Sequence, residues 1–143
     1  MAWAEIHWRS ELIDKETTMQ VLLPETGKPP FATLYLLHSL KDDSYAWLRR
    51  TRLEEAVRGL PLIVVLPDGY RGFFTDNNEG PPYARHVGEE LVTYVDRFFP
   101  TIQDRLGRGI GGASMGGYGA LRVGLAFPQT FSSIHSHAAP LAR

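Results

Sequence analysis

The chain has 143 residues, of which 43% are hydrophobic and 22% are charged, the composition of one ordinary globular domain. The chain has 15 lysines and arginines and 16 aspartates and glutamates, which gives a formal net charge of −1. Neither nucleic acid nor an anionic membrane is therefore an expected partner. The lack of cysteine excludes disulfides, thiolate metal sites and cysteine nucleophiles. No stretch resembles a leader peptide or a membrane-spanning helix, so we expect a cytoplasmic protein or an exported one whose leader has been removed.

The predicted elements alternate between strands and helices. Two alternating segments, residues 5–14 and 17–23, predict an antiparallel hairpin. Continuous apolar runs at residues 32–37 and 62–66 are typical of strands buried on both faces of a parallel sheet. The other predicted elements are helices at about residues 44–58, 87–99 and 118–127, and strands at residues 108–112 and 131–138.

This order of elements predicts an α/β fold in which helices cover both faces of a mostly parallel sheet that begins with an antiparallel hairpin. Ligands of such sheets bind beyond the carboxyl ends of the strands. Four residues with reactive side chains fall at or near those ends: His38, Asp68, Ser114 and His137. We therefore expect them to converge on one edge of the sheet.

The segment Gly112-Ala113-Ser114-Met115-Gly116 places a serine between glycines, after a predicted strand and before a predicted helix. This is the pattern of a nucleophile elbow, in which the serine occupies a strained turn and the glycines let strand and helix pack closely. The alternative is a glycine-rich turn that only packs, or that binds an anion at the helix N-terminus. The flanking elements favour the nucleophile.

Three further segments share a family pattern with this turn: the strand and loop at residues 34–40, the strand end and aromatic loop at residues 66–76, and the helix at residues 89–100. Together the four resemble the α/β-hydrolase-fold esterases of the Putative esterase, or esterase D-like, superfamily. That group includes tributyrin-type esterases, feruloyl esterases, S-formylglutathione hydrolases and mycolyltransferases. The resemblance covers about residues 5–140 and implies a three-layer α/β-hydrolase sandwich.

The resemblance also implies roles for individual residues. Ser114 would be the acyl-accepting nucleophile, and the backbone N–H groups of Leu40 and Met115 would form the oxyanion hole. The residues expected to bind substrate are His38, Ser39, Phe73 and Phe74. His38 is expected to orient its loop rather than to act as the base.

Two features of this pattern leave alternatives open. Ser39 replaces the glycine that is usual in the family, and it either strains and narrows the oxyanion hole or adopts an ordinary backbone and changes little. The aromatic loop either lines an acyl or alcohol pocket or packs over the sheet; its rings are Tyr70, Phe73, Phe74 and Tyr83.

The expected acid and base are missing from their usual places. The triad of this fold runs serine, acid, histidine, yet residues 115–143 contain no aspartate or glutamate, and a lone serine hydroxyl is a weak nucleophile. His135 and His137 could act as a base or share a metal ion, but two histidines alone form an incomplete site, and polar strand-end residues are the simpler interpretation. We expect no metal and no cofactor.

We therefore interpret the chain as a serine carboxylesterase that acts on short-chain or aryl carboxylic esters. Since domains of this type commonly need about 200 to 250 residues, we expect residues 1–143 to be the N-terminal part of one α/β-hydrolase domain, truncated after the strand that follows the nucleophile helix. The remaining strands, acid and histidine would come from a second polypeptide or from a second copy in a homo-oligomer. The alternatives are an acyltransferase or thioesterase on the same scaffold, and a catalytically silent fragment or interaction module.

Overall fold

A computed structural model describes residues 1–39, 41–70, 74 and 82–139 of the chain. In this part of the chain, six strands form one sheet in the spatial order β1-β2-β4-β3-β5-β6. The strands are β1 Ala2–Ser10, β2 Lys15–Leu23, β3 Ala32–Leu37, β4 Leu62–Pro67, β5 Arg108–Ala113 and β6 Ser133–His137. β2 pairs antiparallel with β1 and β4, whereas β4, β3, β5 and β6 run parallel.

The helices are short, apart from the last. They are α1 Ala46–Arg50, α2 Leu53–Val57, α3 Tyr83–Arg85, α4 Val92–Phe98 and α5 Met115–Ala126. A π-helical turn, His86–Leu91, joins α3 to α4, and a 3-10 turn, Arg105–Gly107, precedes β5. No helix in the described ranges has the length and apolar character needed to span a membrane.

The sheet lies between two helical layers, as β4 shows. Ile63 and Val65 belong to the larger core, which also contains residues of the π-helical turn, α4 and α5. Val64 and Leu66 belong to a smaller core with α1 and α2. Because successive strand residues point to opposite faces, a strand that is apolar throughout buries both faces. The predicted three-layer α/β class is confirmed.

The helix predicted over residues 44–58 is divided in two at Thr51. Thr51 has extended backbone angles; its hydroxyl donates to the carbonyl of Trp47 and accepts from the N–H of Leu53 at 3.2 Å. Such side-chain hydrogen bonds compete with helical backbone bonds. The periodicity identified the buried helical face but not this break.

The turn between β1 and β2 lies earlier than the sequence predicts, at residues 11–14 rather than 15–16. The carboxylate of Glu90, on the π-helical turn, accepts hydrogen bonds from the backbone N–H groups of Glu11 and Leu12 and from the hydroxyl of Ser10. A contact between residues about 80 positions apart therefore holds the turn, and no local pattern reports it.

Candidate active site

Ser114 lies between β5 and α5, with φ = 54° and ψ = −119°. A positive φ is uncommon for a residue with a Cβ atom and costs about 1–3 kcal/mol. The side chain is exposed and does not cap the helix. The turn thus presents a hydroxyl outward at the carboxyl end of a central strand, which is the geometry expected of a nucleophile elbow.

Glycines at two positions of the elbow allow the backbones of β5, α5 and the end of β3 to pack closely together. A Cβ atom on Gly112 would lie 2.9 Å from Cα of Gly116. A Cβ atom on Gly116 would overlap the carbonyl oxygen of Leu37 and lie 2.7 Å from that of His38. Because the opposing atoms are backbone, they have no rotamer to which they can move. The first turn of α5 consequently rests directly on the end of β3.

Met115 is the first residue of α5, and its side chain is fully buried. A backbone N–H at this position has no acceptor within the helix, and the helix dipole makes the region attractive to negative charge. Its geometry therefore suits the stabilisation of an oxyanion. Leu40, the other predicted oxyanion residue, lies outside the described residues.

His38 is buried, with 1% of its surface exposed. Its Nε2 accepts a hydrogen bond from the backbone N–H of Gly69 at 2.9 Å, so Nδ1 carries the proton and donates to the carbonyl of Ser39 at 2.8 Å. The Asp68 carboxylate lies 3.4 Å from Nε2. With both ring nitrogens occupied, the imidazole links the loop after β3 to the loop after β4.

Ser39 follows with an ordinary backbone, since its φ is not among the positive values found in the described residues. Its hydroxyl donates to the carbonyl of Ala113 at 3.0 Å, and so connects the loop after β3 to the residue before Ser114. The partners are 74 positions apart. Nothing in the sequence indicates this hydrogen bond except the serine at a position where the family usually has glycine.

Two rings of the predicted aromatic loop, Phe74 and Tyr83, lie in the interior. Phe74 has no exposed surface and packs beside His38 with a ring separation of 5.4 Å, which corresponds to rings that pack over the sheet. Tyr83 is nearly buried; burial, followed by nearby Tyr70 and Asp68, raises the pKa of its phenol. Phe73 lies outside the described residues.

The two histidines of β6 are exposed and lie on one face of the strand. Ser136, between them, points towards α5 and donates from its hydroxyl to the carbonyl of Gly117 at 2.8 Å, so both imidazoles point to the opposite face. In the described residues, no side-chain hydrogen bond joins Ser114 to a histidine. Nor do those residues contain a cluster of three or more histidine, aspartate or glutamate side chains suited to a metal ion.

A cavity of about 240 Å³ adjoins the elbow. Ser39 and Ala113 form one wall, and Trp47 and Arg50 of α1 form another. The Asp42 carboxylate pairs with Arg50 at 2.6 Å at this cavity, so the two charges offset each other. The surface that lines the cavity is mainly apolar as a whole and suits a small uncharged group.

A protein-family model described as Putative esterase matches residues 10–142. The chain belongs to the Putative esterase family. Among curated proteins, this esterase-family chain is 34% identical over 145 residues to an acetyl esterase of Caldicellulosiruptor saccharolyticus, an alignment that covers 94% of the chain and 54% of the relative.

Solved structures agree with this assignment. The chain is 28% identical to the fluorophosphonate-binding serine hydrolase FphF of Staphylococcus aureus, with a TM-score of 0.85 over 92% of the chain and 55% of that protein. It is also 28% identical to an S-formylglutathione hydrolase of the same organism, with a TM-score of 0.86 over 96% of the chain and 57% of that protein. This member of the family thus spans about half the length of these relatives.

Proposed function

We propose that this chain carries the nucleophile and the oxyanion donors of a serine carboxylesterase acting on short-chain or aryl carboxylic esters. The observation that carries the proposal is the exposed Ser114 hydroxyl, held at a positive φ on a turn packed through glycines against the end of β3. The positive φ costs free energy, and the Ser114 side chain does not offset that cost by capping the helix. Family membership and relatives described as an acetyl esterase and a serine hydrolase support the same activity.

The proposed reaction proceeds through an acyl-enzyme. The Ser114 oxygen attacks the ester carbonyl carbon while its proton passes to a general base, and the carbonyl oxygen becomes an oxyanion that accepts hydrogen bonds from the backbone N–H groups of Met115 and Leu40. The carbon–oxygen bond to the alcohol then breaks, and the alcohol leaves with the proton. Water attacks the acyl-serine by the same steps, which releases the carboxylic acid and restores the hydroxyl.

We further propose that the general base and its orienting acid come from protein outside these 143 residues, with residues 1–143 forming the N-terminal part of the domain. The relatives' greater length supports this proposal, because it leaves almost half of each relative unmatched. So does the occupied imidazole of His38. The missing groups would lie on a separate C-terminal polypeptide, a second copy, or further residues of the same polypeptide.

In this proposal the substrate groups near Ser114 are small. Ser39, Phe73 and Phe74 would shape the site, with Phe74 acting from beneath because it has no exposed surface. The adjoining cavity of about 240 Å³ is smaller than the roughly 300–1,000 Å³ of sites for drug-sized ligands. A short acyl chain or one aromatic ring is the class of group that fits.

Hydrolysis of p-nitrophenyl acetate and butyrate tests the proposal, using the protein together with whatever completes its fold. Turnover should be lost in Ser114→Ala and kept in Ser133→Ala, which removes an exposed hydroxyl at the start of β6. Equal rates for wild type and Ser114→Ala would overturn the esterase proposal and favour a catalytically silent interaction module.

A thioesterase is the second candidate, favoured by the similarity to an S-formylglutathione hydrolase over 96% of the chain. Thioesters need the same nucleophile and oxyanion donors, and only the leaving group differs. Comparison of kcat/KM for S-formylglutathione and p-nitrophenyl acetate distinguishes the two, with Ser114→Ala as the control for both. An acyltransferase would instead show transfer to an added alcohol in preference to water.

A further inference from the structure

We infer that the Ser39 side chain is a positioning residue for the proposed reaction. Its hydroxyl, by donating to the carbonyl of Ala113 at 3.0 Å, fixes the loop that carries one proposed oxyanion donor relative to the turn that carries Ser114. The inference rests on the proposed esterase function and adds to it a residue outside the nucleophile and the oxyanion donors.

The place of this bond in the sheet explains why it matters. The ladder between β3 and β5 ends at the pair Leu37 and Gly112. Beyond this pair the chain leaves β3, and the next residue on β5, Ala113, accepts from a side chain rather than from a ladder N–H. The Ser39 hydroxyl therefore extends the contact between the two strands by one residue, up to the edge of the elbow.

The rest of the loop is held independently of this bond. The carbonyl of Ser39 accepts from Nδ1 of His38 at 2.8 Å and from the backbone N–H of Asp42 at 3.1 Å, while Nε2 of His38 accepts from Gly69 after β4. These contacts fix the shape of the loop and attach it to β4. The Ser39 hydroxyl supplies an attachment to β5, the strand that leads to the nucleophile.

Chain connectivity turns this attachment into a constraint on catalysis. Leu40 follows Ser39 and Ser114 follows Ala113, so the bond joins the immediate neighbours of a proposed oxyanion donor and of the nucleophile. Oxyanion stabilisation depends on donors that are already in place when charge develops. Loss of the bond should consequently weaken transition-state stabilisation more than substrate binding.

The Ser39 hydroxyl can be removed by substitution without disturbing the backbone. Since Ser39 has an ordinary backbone, Ser39→Ala removes the hydroxyl without relieving or creating backbone strain. Ser39→Thr keeps the hydroxyl, and the cavity beside residue 39 leaves room for the added methyl group. Ser39→Cys keeps a weak donor only.

A matched control exists at the other end of the same strand. The hydroxyl of Ser132 donates to the carbonyl of Arg108 at 3.2 Å, so Ser132→Ala removes the same type of bond from the first residue of β5, away from the elbow. Both alanine variants lose one hydroxyl-to-carbonyl hydrogen bond. Only Ser39→Ala loses one beside the nucleophile.

The test measures kcat and KM for p-nitrophenyl butyrate, with the protein in the form that shows Ser114-dependent turnover, and measures thermal unfolding of every variant. We expect Ser39→Ala to lower kcat by about 3- to 30-fold, between the effect of losing one ordinary hydrogen bond and that of partly losing an oxyanion donor. KM should stay within about twofold, because the lost bond acts on the stabilisation of the transition state and not on binding of the ground state. Ser39→Thr should restore kcat, Ser39→Cys should be intermediate, and Ser132→Ala should match wild type.

The outcomes separate this inference from the proposed function. If turnover disappears in Ser114→Ala but kcat of Ser39→Ala equals that of Ser132→Ala, or if only KM changes, the inference is overturned and the esterase proposal stands. If Ser114→Ala retains full turnover, the esterase proposal fails and the inference fails with it. If the alanine variant does not fold, the ranking of the threonine and cysteine variants decides: equal kcat for these two overturns the inference.

Discussion

The backbone N–H of Ser114 donates a 2.9 Å hydrogen bond to the carbonyl oxygen of His137. The parallel ladder pairs Ala113 with His137, so this bond continues the ladder one residue past the end of β5. The strained serine is thereby held by β6 as well as by its own helix. β6 contributes to the candidate site through its backbone, whereas its two imidazoles point away from α5.

Gly116→Ala should destabilise the protein by about 2–3 kcal/mol, at the upper end of overpacking effects, because its Cβ atom would meet the backbone carbonyls of Leu37 and His38. Urea unfolding followed by circular dichroism measures the loss. The control is Gly124→Ala on the same helix, where the new Cβ meets the side-chain end of Ile134, which is 36% exposed and can move. A loss of stability in Gly116→Ala no larger than that in Gly124→Ala would contradict the close packing at the elbow.

The sequence predicted those elements that depend on a local pattern of residues. Both faces of β4 are buried, as its continuous apolar run predicts, and the elbow has the predicted strand, turn and helix with Ser114 at the turn. The hairpin follows from its two alternating segments, and the parallel direction of the later strands follows from the alternation of strands and helices along the chain.

Features that depend on distant contacts could not be predicted in this way. The position of the hairpin turn depends on Glu90, which accepts hydrogen bonds from Ser10, Glu11 and Leu12. The role of Ser39 depends on a carbonyl 74 positions away. Periodicity reports which face of an element is buried, and not which polar groups of two elements meet.

Glu90→Gln should reduce the acid sensitivity of the fold. Burial by itself raises the pKa of Glu90, but hydrogen bonds from Ser10, His86, Leu12 and Glu11 together lower it below the ordinary 4.5. The unfolded chain therefore binds more protons as the pH falls through 4.5, and the stabilisation, fully present above that value, is lost as the pH falls through the folded pKa.

The measurement for Glu90 is the free energy of unfolding in urea between pH 7 and pH 3. At neutral pH the variant should be less stable by about 1–2 kcal/mol, because the amide cannot serve every donor that meets the carboxylate. Its stability should then fall less steeply than that of wild type below pH 4.5. Parallel curves for the two proteins would contradict the hydrogen-bonded carboxylate.

His86→Asn should make the free energy of unfolding depend less on pH between pH 7 and pH 5, a range above the one that Glu90 affects. Burial lowers the pKa of His86 below 6.5, against the opposing effects of Glu90 and Asp68, and its ring also stacks on Trp8 with centroids 5.3 Å apart. Between 6.5 and the folded pKa the unfolded chain binds more protons, so stability is complete above 6.5 and declines as the pH falls below it. Asparagine keeps a donor for Glu90 but does not titrate. A slope between pH 7 and pH 5 as steep as in wild type would refute this assignment.

Asp96→Asn should cost about 3 kcal/mol of stability, because it leaves a largely buried arginine without its counter-charge. Asp96 accepts from Arg108 at 2.7 Å and from the Thr101 hydroxyl at 2.7 Å, and both charged side chains are at most 14% exposed. Glu89→Gln is the control: its pair with Arg85 is about half exposed and should cost about 0.5 kcal/mol. Thermal or urea unfolding should show a larger loss of stability for Asp96→Asn than for Glu89→Gln. Equal losses would contradict the importance of the buried pair.

The central claim is that Ser114 is an activated nucleophile, and covalent labelling tests it most directly. A fluorophosphonate would form a bond between phosphorus and the Ser114 oxygen, displace fluoride, and leave the serine proton with the base. Peptide mass spectrometry of the protein, with whatever completes its fold, should find one adduct on the peptide that contains Ser114 and none in Ser114→Ala. An adduct on another residue, or equal labelling of wild type and Ser114→Ala, would contradict the account.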